Sequence, residues 1–306
     1  KALLQPDMRG LTLDEYLRAQ RYSRSFVEGH LLPMAAAIWS SKAEDIRAYP
    51  LFAFVRFFES HGLLQLWERP NWRTVAGGSR AYVGALLQDF AGQLRLATPV
   101  AKVVRDAAGV TVTARTGQVD QFDAILIATH ADQALSMLDA PSARERELLG
   151  AFSYTTNTAV LHADATYMPR RRKVWGCWNY ISTDHISSEN QLCVSYWMNR
   201  LQSLEGRDLF VTLNPPADPQ QEITRFEYTH PLFDSAAIHA QDNLWQIQGQ
   251  NRTFFAGAHF GRGFHEDGLQ SGLAAAEAMG SLPRPWTVPN PSGRITLAPP
   301  EAALVA

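Results

Sequence analysis

The sequence has few of the features that would place it in several large classes of protein. Its 306 residues include only two cysteines, Cys177 and Cys193, too few for a disulfide framework, and both are predicted as buried free thiols in a reducing compartment. The formal net charge of −2 argues against a surface built mainly to bind polyanions. No apolar run is long enough to cross a bilayer, and no signal peptide is visible. We therefore predict a cytoplasmic protein.

The motifs of hydrolytic and metal-dependent catalysis are also missing. The sequence contains no nucleophile elbow, no two-histidine metal helix and no C-x-x-C pair. His162 and Asp164 have no further ligand nearby in sequence, so no metal site is predicted. What is present is an ordinary globular composition, 46% hydrophobic and 19% charged, in a chain long enough for two domains.

One stretch near the C-terminus has the pattern of a strand, a glycine-rich loop and a helix. Residues 253–256 form a short apolar run typical of a buried parallel strand. Asp267 is predicted as the N-cap of the helix, with Gln270 completing a capping box. A helix start carries partial positive charge worth about 0.3–1 kcal/mol to a nearby anion, and phosphates use such sites. The loop glycines that bring the backbone close to such a ligand are Gly257, Gly261 and Gly263.

This stretch resembles the C-terminal FAD motif of the flavin amine oxidase and phytoene desaturase superfamily. The likeness is carried by Ala256-Gly257-Ala258-His259, Gly263 and Gly268-Leu269-Gln270-Ser271-Gly272. The run Gly-Phe-His-Glu-Asp-Gly at 263–268 is similar to one in bacterial NAD/FAD-binding, amine-oxidase-like proteins. The resemblance implies that the loop approaches the ribityl chain and pyrophosphate of FAD. Amine oxidases usually have an acid after the Ala-Gly pair, so Ala258 and His259 are nearer the desaturase pattern.

Two earlier segments resemble other parts of the same FAD-binding domain. The pair Gly77-Gly78 precedes a helix that Ser79 is predicted to cap, as in the Gly-Gly motif of the superfamily. A hairpin at 100–104 and 110–113 and a third short strand precede a buried parallel strand at 122–129. The resemblance implies that Val100 contacts adenine through its backbone. It also places His130 where the chain leaves the domain, either as a site residue or as an ordinary loop histidine.

The predicted fold class is α/β, with an FAD/NAD(P)-binding Rossmann-like domain and an α+β substrate domain. The substrate domain is predicted at 1–71 and 136–244, and the FAD-binding domain at 72–135 and 245–282. Residues 283–306 are predicted to be a Pro-rich tail, extended or disordered. Members of the superfamily open with a strand, a Gly-rich loop and a helix. The chain begins at Lys1 without them, so we expect the FAD domain to lack its N-terminal part.

Two features outside the FAD motifs leave alternatives open. The aromatic-rich helices predicted in the first 66 residues fit either core packing or a wall of an apolar substrate cavity. The basic run Arg170-Arg171-Arg172-Lys173 fits either a solvated turn or docking to anionic lipid or an acidic partner.

These observations predict an FAD-dependent oxidoreductase that removes hydride from an organic, lipid-like substrate. The alternative is a truncated, FAD-free fragment or a non-catalytic interaction module. Candidate catalytic residues are His265, Glu266 and His130, each with a structural role as the alternative reading. The predicted cofactor-binding residues are Gly77, Gly78, Ser79, Arg80, Val100, Gly257, Ala258, His259, Gly263, Asp267, Gly268, Leu269 and Gln270.

Overall fold

A computed structural model describes residues 10–39, 43–65, 67, 71, 73–181 and 193–297. The chain divides into two compact units, and each is assembled from two separate stretches. The first unit comprises residues 1–92 and 154–230, and the second comprises residues 93–153 and 231–306. Residues 72–92 therefore lie in the first unit, and residues 136–153 and 231–244 lie in the second. The assignment of one unit to FAD and the other to substrate stays a prediction.

The helices α1 to α6 precede the first strand, and strands and helices are mixed in the rest of the chain. The helices are α1 Leu13–Ala19, α2 Arg24–Phe26, α3 Leu32–Trp39, α4 Ala43–Arg47, α5 Leu51–Ser60, α6 Ser79–Gln88, α7 Ala131–Met137, α8 Ala143–Leu149, α9 Met198–Leu201, α10 Ser235–Gln241 and α11 His265–Ala278. The strands are β1 Val100–Arg105, β2 Val110–Ala114, β3 Val119–Phe122, β4 Ile125–Ile127, β5 Tyr154–His162, β6 Trp178–Ile181, β7 Cys193–Trp197, β8 Phe210–Leu213, β9 Glu222–Pro231 and β10 Thr253–Phe255.

The first unit has a helical part whose aromatic side chains form its core. The predicted capping box starts α1: Thr12 Oγ accepts from the Glu15 N–H, and the Glu15 carboxylate accepts from the Thr12 N–H. Trp39 packs against Phe57 with ring centroids 4.6 Å apart, and both side chains are buried. These rings therefore fill a core, which is the first of the two readings of the aromatic helices.

The first unit also contains a five-stranded sheet with the order β6-β7-β8-β5-β9. The pairs β6–β7, β7–β8 and β5–β8 are antiparallel. Residues 172–174 form a 3-10 turn, and the edge strand β6 begins at Trp178. On the buried side, His162 Nε2 lies 2.7 Å from Thr212 Oγ1, which lies 2.6 Å from Ser195 Oγ. These bonds satisfy the polar groups that the sheet buries.

The second unit combines an antiparallel sheet, β1-β2-β3, with a parallel pair, β4 and β10. The predicted hairpin and the third strand are confirmed. A buried ion pair joins the two sheets: Arg105 of β1 bonds the Glu145 carboxylate at 2.5 Å, and its guanidinium also donates to Thr253 Oγ of β10 at 3.3 Å. Burial would raise the pKa of Glu145, but Arg105 and the Ser142 N–H outweigh it and lower that pKa.

Candidate functional site

The two parallel strands bring the predicted strand–loop–helix next to the strand that ends near His130. In the register, Thr253 lies opposite Ile125 and Phe255 lies opposite Ile127. The chain continues past β4 to His130, which is the N-cap of α7, and past β10 to Gly257 and a 3-10 turn. Ligands of α/β sheets bind outside the carboxyl ends of parallel strands. The loops that follow β4 and β10 start at these ends, so this end of the pair is the candidate site.

The turn after β10 requires glycine at its first position. Gly257 has φ 156° and ψ 167°, and a Cβ there would lie 2.7 Å from Nδ1 of His259. The Gly257 N–H donates to Ser271 Oγ at 3.0 Å, which fastens the turn to the second turn of α11. Gly268, in the first turns of α11, has only the backbone nitrogen of Ala258 at 3.8 Å from where a Cβ would be. The backbone of the turn and that of the helix start thus lie close together.

The helix begins three residues earlier than the sequence predicted. Phe264 is the N-cap and α11 starts at His265, so the prediction that Asp267 is the N-cap is wrong. Asp267 is the third residue of the helix, and its carboxylate reaches back to accept from the Phe264 N–H at 2.9 Å. An acid at this position satisfies a backbone donor of the first turn in the same way as the acidic half of a capping box. The side chains of His265 and Glu266 lie at the surface of this turn.

Residues 283–297 fold back along α11, so the expectation of an extended or disordered tail is wrong for this part. Arg294 bonds the buried Asp267 carboxylate with Nε at 2.7 Å and a second nitrogen at 3.1 Å. The Arg294 N–H donates to Gln270 Oε1 at 3.0 Å, and the Gln270 amide donates to Glu266 at 2.8 Å. Asp267 and Gln270, predicted as cofactor contacts, are therefore engaged by protein partners. Residues 298–306 lie outside the described residues.

Two glutamines that the sequence analysis missed hold the strand and the loop in place. Gln248 makes two bonds to the backbone of Phe255, donating to its carbonyl at 2.6 Å and accepting from its N–H at 2.8 Å. Gln241 of α10 donates to the carbonyls of His259, at 3.0 Å, and of Gly261. Glutamine is common at protein surfaces, and neither residue stands in a motif, so the sequence carried no signal for these roles.

His259 is the most unusual polar group of the loop. Its side chain is only 5% exposed, and its Nε2 is buried with no hydrogen-bond partner in the described structure. The ring lies between Phe152 and Phe260, at centroid distances of 5.3 and 5.0 Å. Burial, with the charge of His130 as a smaller cause, lowers the pKa of His259 to about 4. His259 is therefore neutral near pH 7 and carries one unused polar atom.

The remaining predicted cofactor residues lie on other elements. Gly77 and Gly78 have φ values of 78° and 76°, and Gly78, not Ser79 as predicted, is the N-cap of α6. Ser79 and Arg80 open this helix in the first unit, whereas Val100 opens β1 in the second unit opposite Ala114. Of the loop residues, Gly263 and Leu269 are exposed, and Leu269 has a relative exposure of 51%.

The sequence also predicted no metal site and no membrane-spanning segment. In the part of the chain that the structure describes, no three His, Cys, Asp or Glu side chains are grouped so that they could hold a metal ion. Within the same residues, no helix has both the length and the apolar character needed to cross a membrane.

Comparison with known proteins identifies the type of fold. Residues 17–167, nearly half of the chain, match the family of flavin containing amine oxidoreductases. The fold is similar to that of a fatty acid isomerase from P. acnes that produces CLA, with TM-score 0.59 and 14% identity over 90% of this chain and 67% of the isomerase. It is also similar to reduced UDP-galactopyranose mutase, with TM-score 0.56 and 12% identity over 94% of this chain and 72% of the mutase.

A third similar structure is a putrescine oxidase redesigned in its cofactor binding, with TM-score 0.60 and 12% identity over 91% of this chain and 70% of the oxidase. No curated protein sequence matches the chain. At these identities the likeness concerns the fold alone. Residues 17–167 thus match the family of flavin containing amine oxidoreductases, and the chain has a mixed α/β fold similar to that of the structures named above, with a Rossmann-like part and a second domain.

Proposed function

We propose that the chain belongs to an FAD-dependent oxidoreductase that removes hydride from an organic, lipid-like substrate. The observation that carries the proposal is the end of the parallel pair β4–β10. There the glycine turn at Gly257 leads into the N-terminus of a helix of 14 residues. Such a helix start presents backbone N–H groups and partial positive charge to an anion.

The residues at this turn fit a flavin cofactor. The turn and the helix start are lined by backbone at Gly257, Ala258 and Gly268, where a ligand can approach closely. The neutral His259 ring packs between Phe152 and Phe260 and holds the loop next to this turn. When bound, FAD supplies acceptance of the hydride. The chain supplies orientation, and the helix start stabilises the negative charge that the transfer creates.

The proposed residue roles follow from position. His265 is proposed to transfer a proton, because its side chain is exposed in the first turn of α11. Glu266 is held by the Gln270 amide and is proposed to set the charge of this turn. His130, at the end of β4, affects the charge of His259 and is proposed to keep that ring neutral. None of these three roles requires a metal.

Two observations support a lipid-like substrate over an amine. The Ala258-His259 pair replaces the acid that amine oxidases usually have after Ala-Gly, as in the desaturase pattern. One of the structures of similar fold is a fatty acid isomerase. A putrescine oxidase is another, so an amine is the natural competitor. Anaerobic reduction of the bound flavin should follow addition of unsaturated fatty acids or a lipid extract. Reduction by putrescine and not by lipids would reverse this assignment.

Cofactor binding can be tested without turnover. Gly268→Ala places a methyl group at the helix start, where the nearest protein atom is 3.8 Å away, so folding is preserved. Gly272→Ala is the matched control, with nothing within 4 Å one turn further along the same helix. Both changes favour the helix by about 1 kcal/mol. We expect Gly268→Ala alone to weaken FAD affinity at least tenfold, measured by quenching of flavin fluorescence.

Two results would overturn the proposal. If the purified chain binds no FAD, or if Gly268→Ala and Gly272→Ala bind it equally well, the helix start is not the cofactor site. A folded chain that binds no flavin would leave the FAD-free fragment or interaction module as the reading of this polypeptide.

A further inference from the structure

The basic run of the first unit forms an ordered surface with apolar side chains beside its cations. Arg170, Arg171 and Lys173 are exposed, and residues 172–174 form a 3-10 turn. The next residue of the run, Val174, has a relative exposure of 62%. Trp178, at the start of the edge strand β6, is 47% exposed. We call Arg170, Arg171, Lys173, Val174 and Trp178 the basic turn surface.

Arg172 differs from the other three cations because its guanidinium is committed to the protein. It bonds the Asp208 carboxylate at 2.5 and 3.1 Å. It also lies over the Trp175 ring, 4.6 Å from the centroid, and 5.4 Å from the centroid of Trp197. Trp197 in turn donates to the same carboxylate at 3.0 Å. Arg172 therefore fixes the turn in place, and the run contributes three cations to the surface where the sequence suggested four.

The bond to Asp208 also attaches the turn to the loop that follows α9. The Asn199 amide donates to the carbonyls of Leu204 and Arg207 at 3.3 and 2.9 Å, so the loop is closed on itself. An ordered segment further along the chain therefore holds the turn, whose exposed cations belong to a protein with a slightly negative overall charge.

The combination of cations and exposed apolar side chains indicates which kind of partner the surface can bind. Val174 and Trp178 give the surface an apolar part next to its charged part, which is the combination that a contact with a membrane interface uses. Polybasic segments are attracted to anionic lipid headgroups, and Trp is enriched where protein meets the membrane interface. A polyanion such as nucleic acid would use the cations but would leave Val174 and Trp178 in water.

We propose that the basic turn surface docks the protein onto a bilayer containing anionic phospholipid. Arg170, Arg171 and Lys173 bind the headgroup phosphates, and Val174 and Trp178 enter the interfacial layer. Arg172 takes no part in the contact and acts as a positioning residue. The proposal does not depend on the flavin chemistry, because it rests on the first unit alone.

The test measures binding of the full chain to sedimenting vesicles of phosphatidylcholine, with and without phosphatidylserine. We expect binding only when phosphatidylserine is present, and less of it as salt is raised. Arg170→Gln, Arg171→Gln and Lys173→Gln together should weaken binding on the order of 100-fold, since each cation contributes roughly fivefold. Val174→Asp should weaken binding even in low salt, because it places a carboxylate against the headgroups.

A matched control separates local binding from overall charge. Arg21→Gln, Arg115→Gln and Arg146→Gln remove the same number of charges from exposed positions outside the surface, and binding should stay unchanged. Circular dichroism and thermal melts of both triple variants check that folding is intact. Equal losses in the two triple variants would overturn the proposal. So would binding to heparin without binding to the anionic vesicles, which would assign the surface to a polyanion.

Discussion

Replacing His259 by phenylalanine should remove a defined part of the acid sensitivity of the second unit. The imidazole is packed between Phe152 and Phe260, and its pKa is lowered from 6.5 to about 4, mainly by burial. In the unfolded chain the ring takes up a proton near pH 6.5, whereas in the folded chain it stays neutral down to about 4. Between these values the unfolded state binds more protons, so stability falls as the pH falls.

The magnitude follows from the two pKa values. The difference between 6.5 and about 4 corresponds to about 3 kcal/mol of unfolding free energy, lost progressively between these pH values and fully lost below them. No such loss occurs above pH 6.5, where the ring is neutral in both states. Near neutral pH, His259→Phe should change stability little, because a ring of similar shape replaces one with an unsatisfied nitrogen.

The assay measures unfolding of the second unit, which contains His259. Urea unfolding, monitored by hydrogen exchange of the β10 and α11 amides, is measured at several pH values from 7 to 4. The variant His259→Phe should show a flatter pH dependence than the parent chain, and the two curves should meet near neutral pH. His265→Asn, which removes an exposed imidazole from the same loop, is the control and should follow the parent. Parallel curves for His259→Phe and the parent would refute the reasoning.

Three further predictions test two contacts of the second unit and the burial of a cysteine in the first unit. Glu145→Gln leaves Arg105 buried without a counter-charge and should lower the unfolding free energy by about 3–5 kcal/mol in urea, whereas an equally stable variant would show that the pair is dispensable. Arg294→Ala removes both guanidinium bonds to a buried carboxylate and should cost about 3 kcal/mol, with faster exchange in the first turn of α11. Burial raises the pKa of Cys193 to about 11, so iodoacetamide should modify the half-buried Cys177 first in the native protein, and the reverse order in peptide mapping would contradict this burial.

The parts of the fold that the sequence predicted are those encoded by neighbouring residues. The capping box of Thr12 and Glu15 and the hairpin before β3 depend on contacts within a few positions, so their local pattern sufficed. The parallel strands were recognisable as short apolar runs, whereas their pairing with each other joins residues far apart in sequence and is shown by the structure. In the same way the Gly-rich loop could be recognised before its geometry was known.

The predictions that were wrong concern segments whose structure depends on side chains far away in the sequence. Asp267 was predicted as an N-cap from its spacing, but Phe264 takes an extended backbone and Arg294 holds the carboxylate from 27 positions away in the chain. The last described segment was expected to be extended or disordered from its proline content, and a few polar contacts hold it against α11 instead. Proline limits regular hydrogen bonding but does not prevent arginine side chains from anchoring a chain to a helix.

The side-chain amide of Gln248 determines on which side the small parallel sheet can add another strand. It occupies the outward N–H and C=O of Phe255, while the neighbouring Gly249 N–H donates to the Thr253 carbonyl at 2.9 Å. The Phe255 N–H and C=O and the Thr253 C=O, which β10 turns away from β4, are therefore already bonded, and another strand could not pair with them. Among the described residues β4 pairs with no strand except β10. Any polypeptide that enlarges this sheet must consequently add beside Ile125–Ile127.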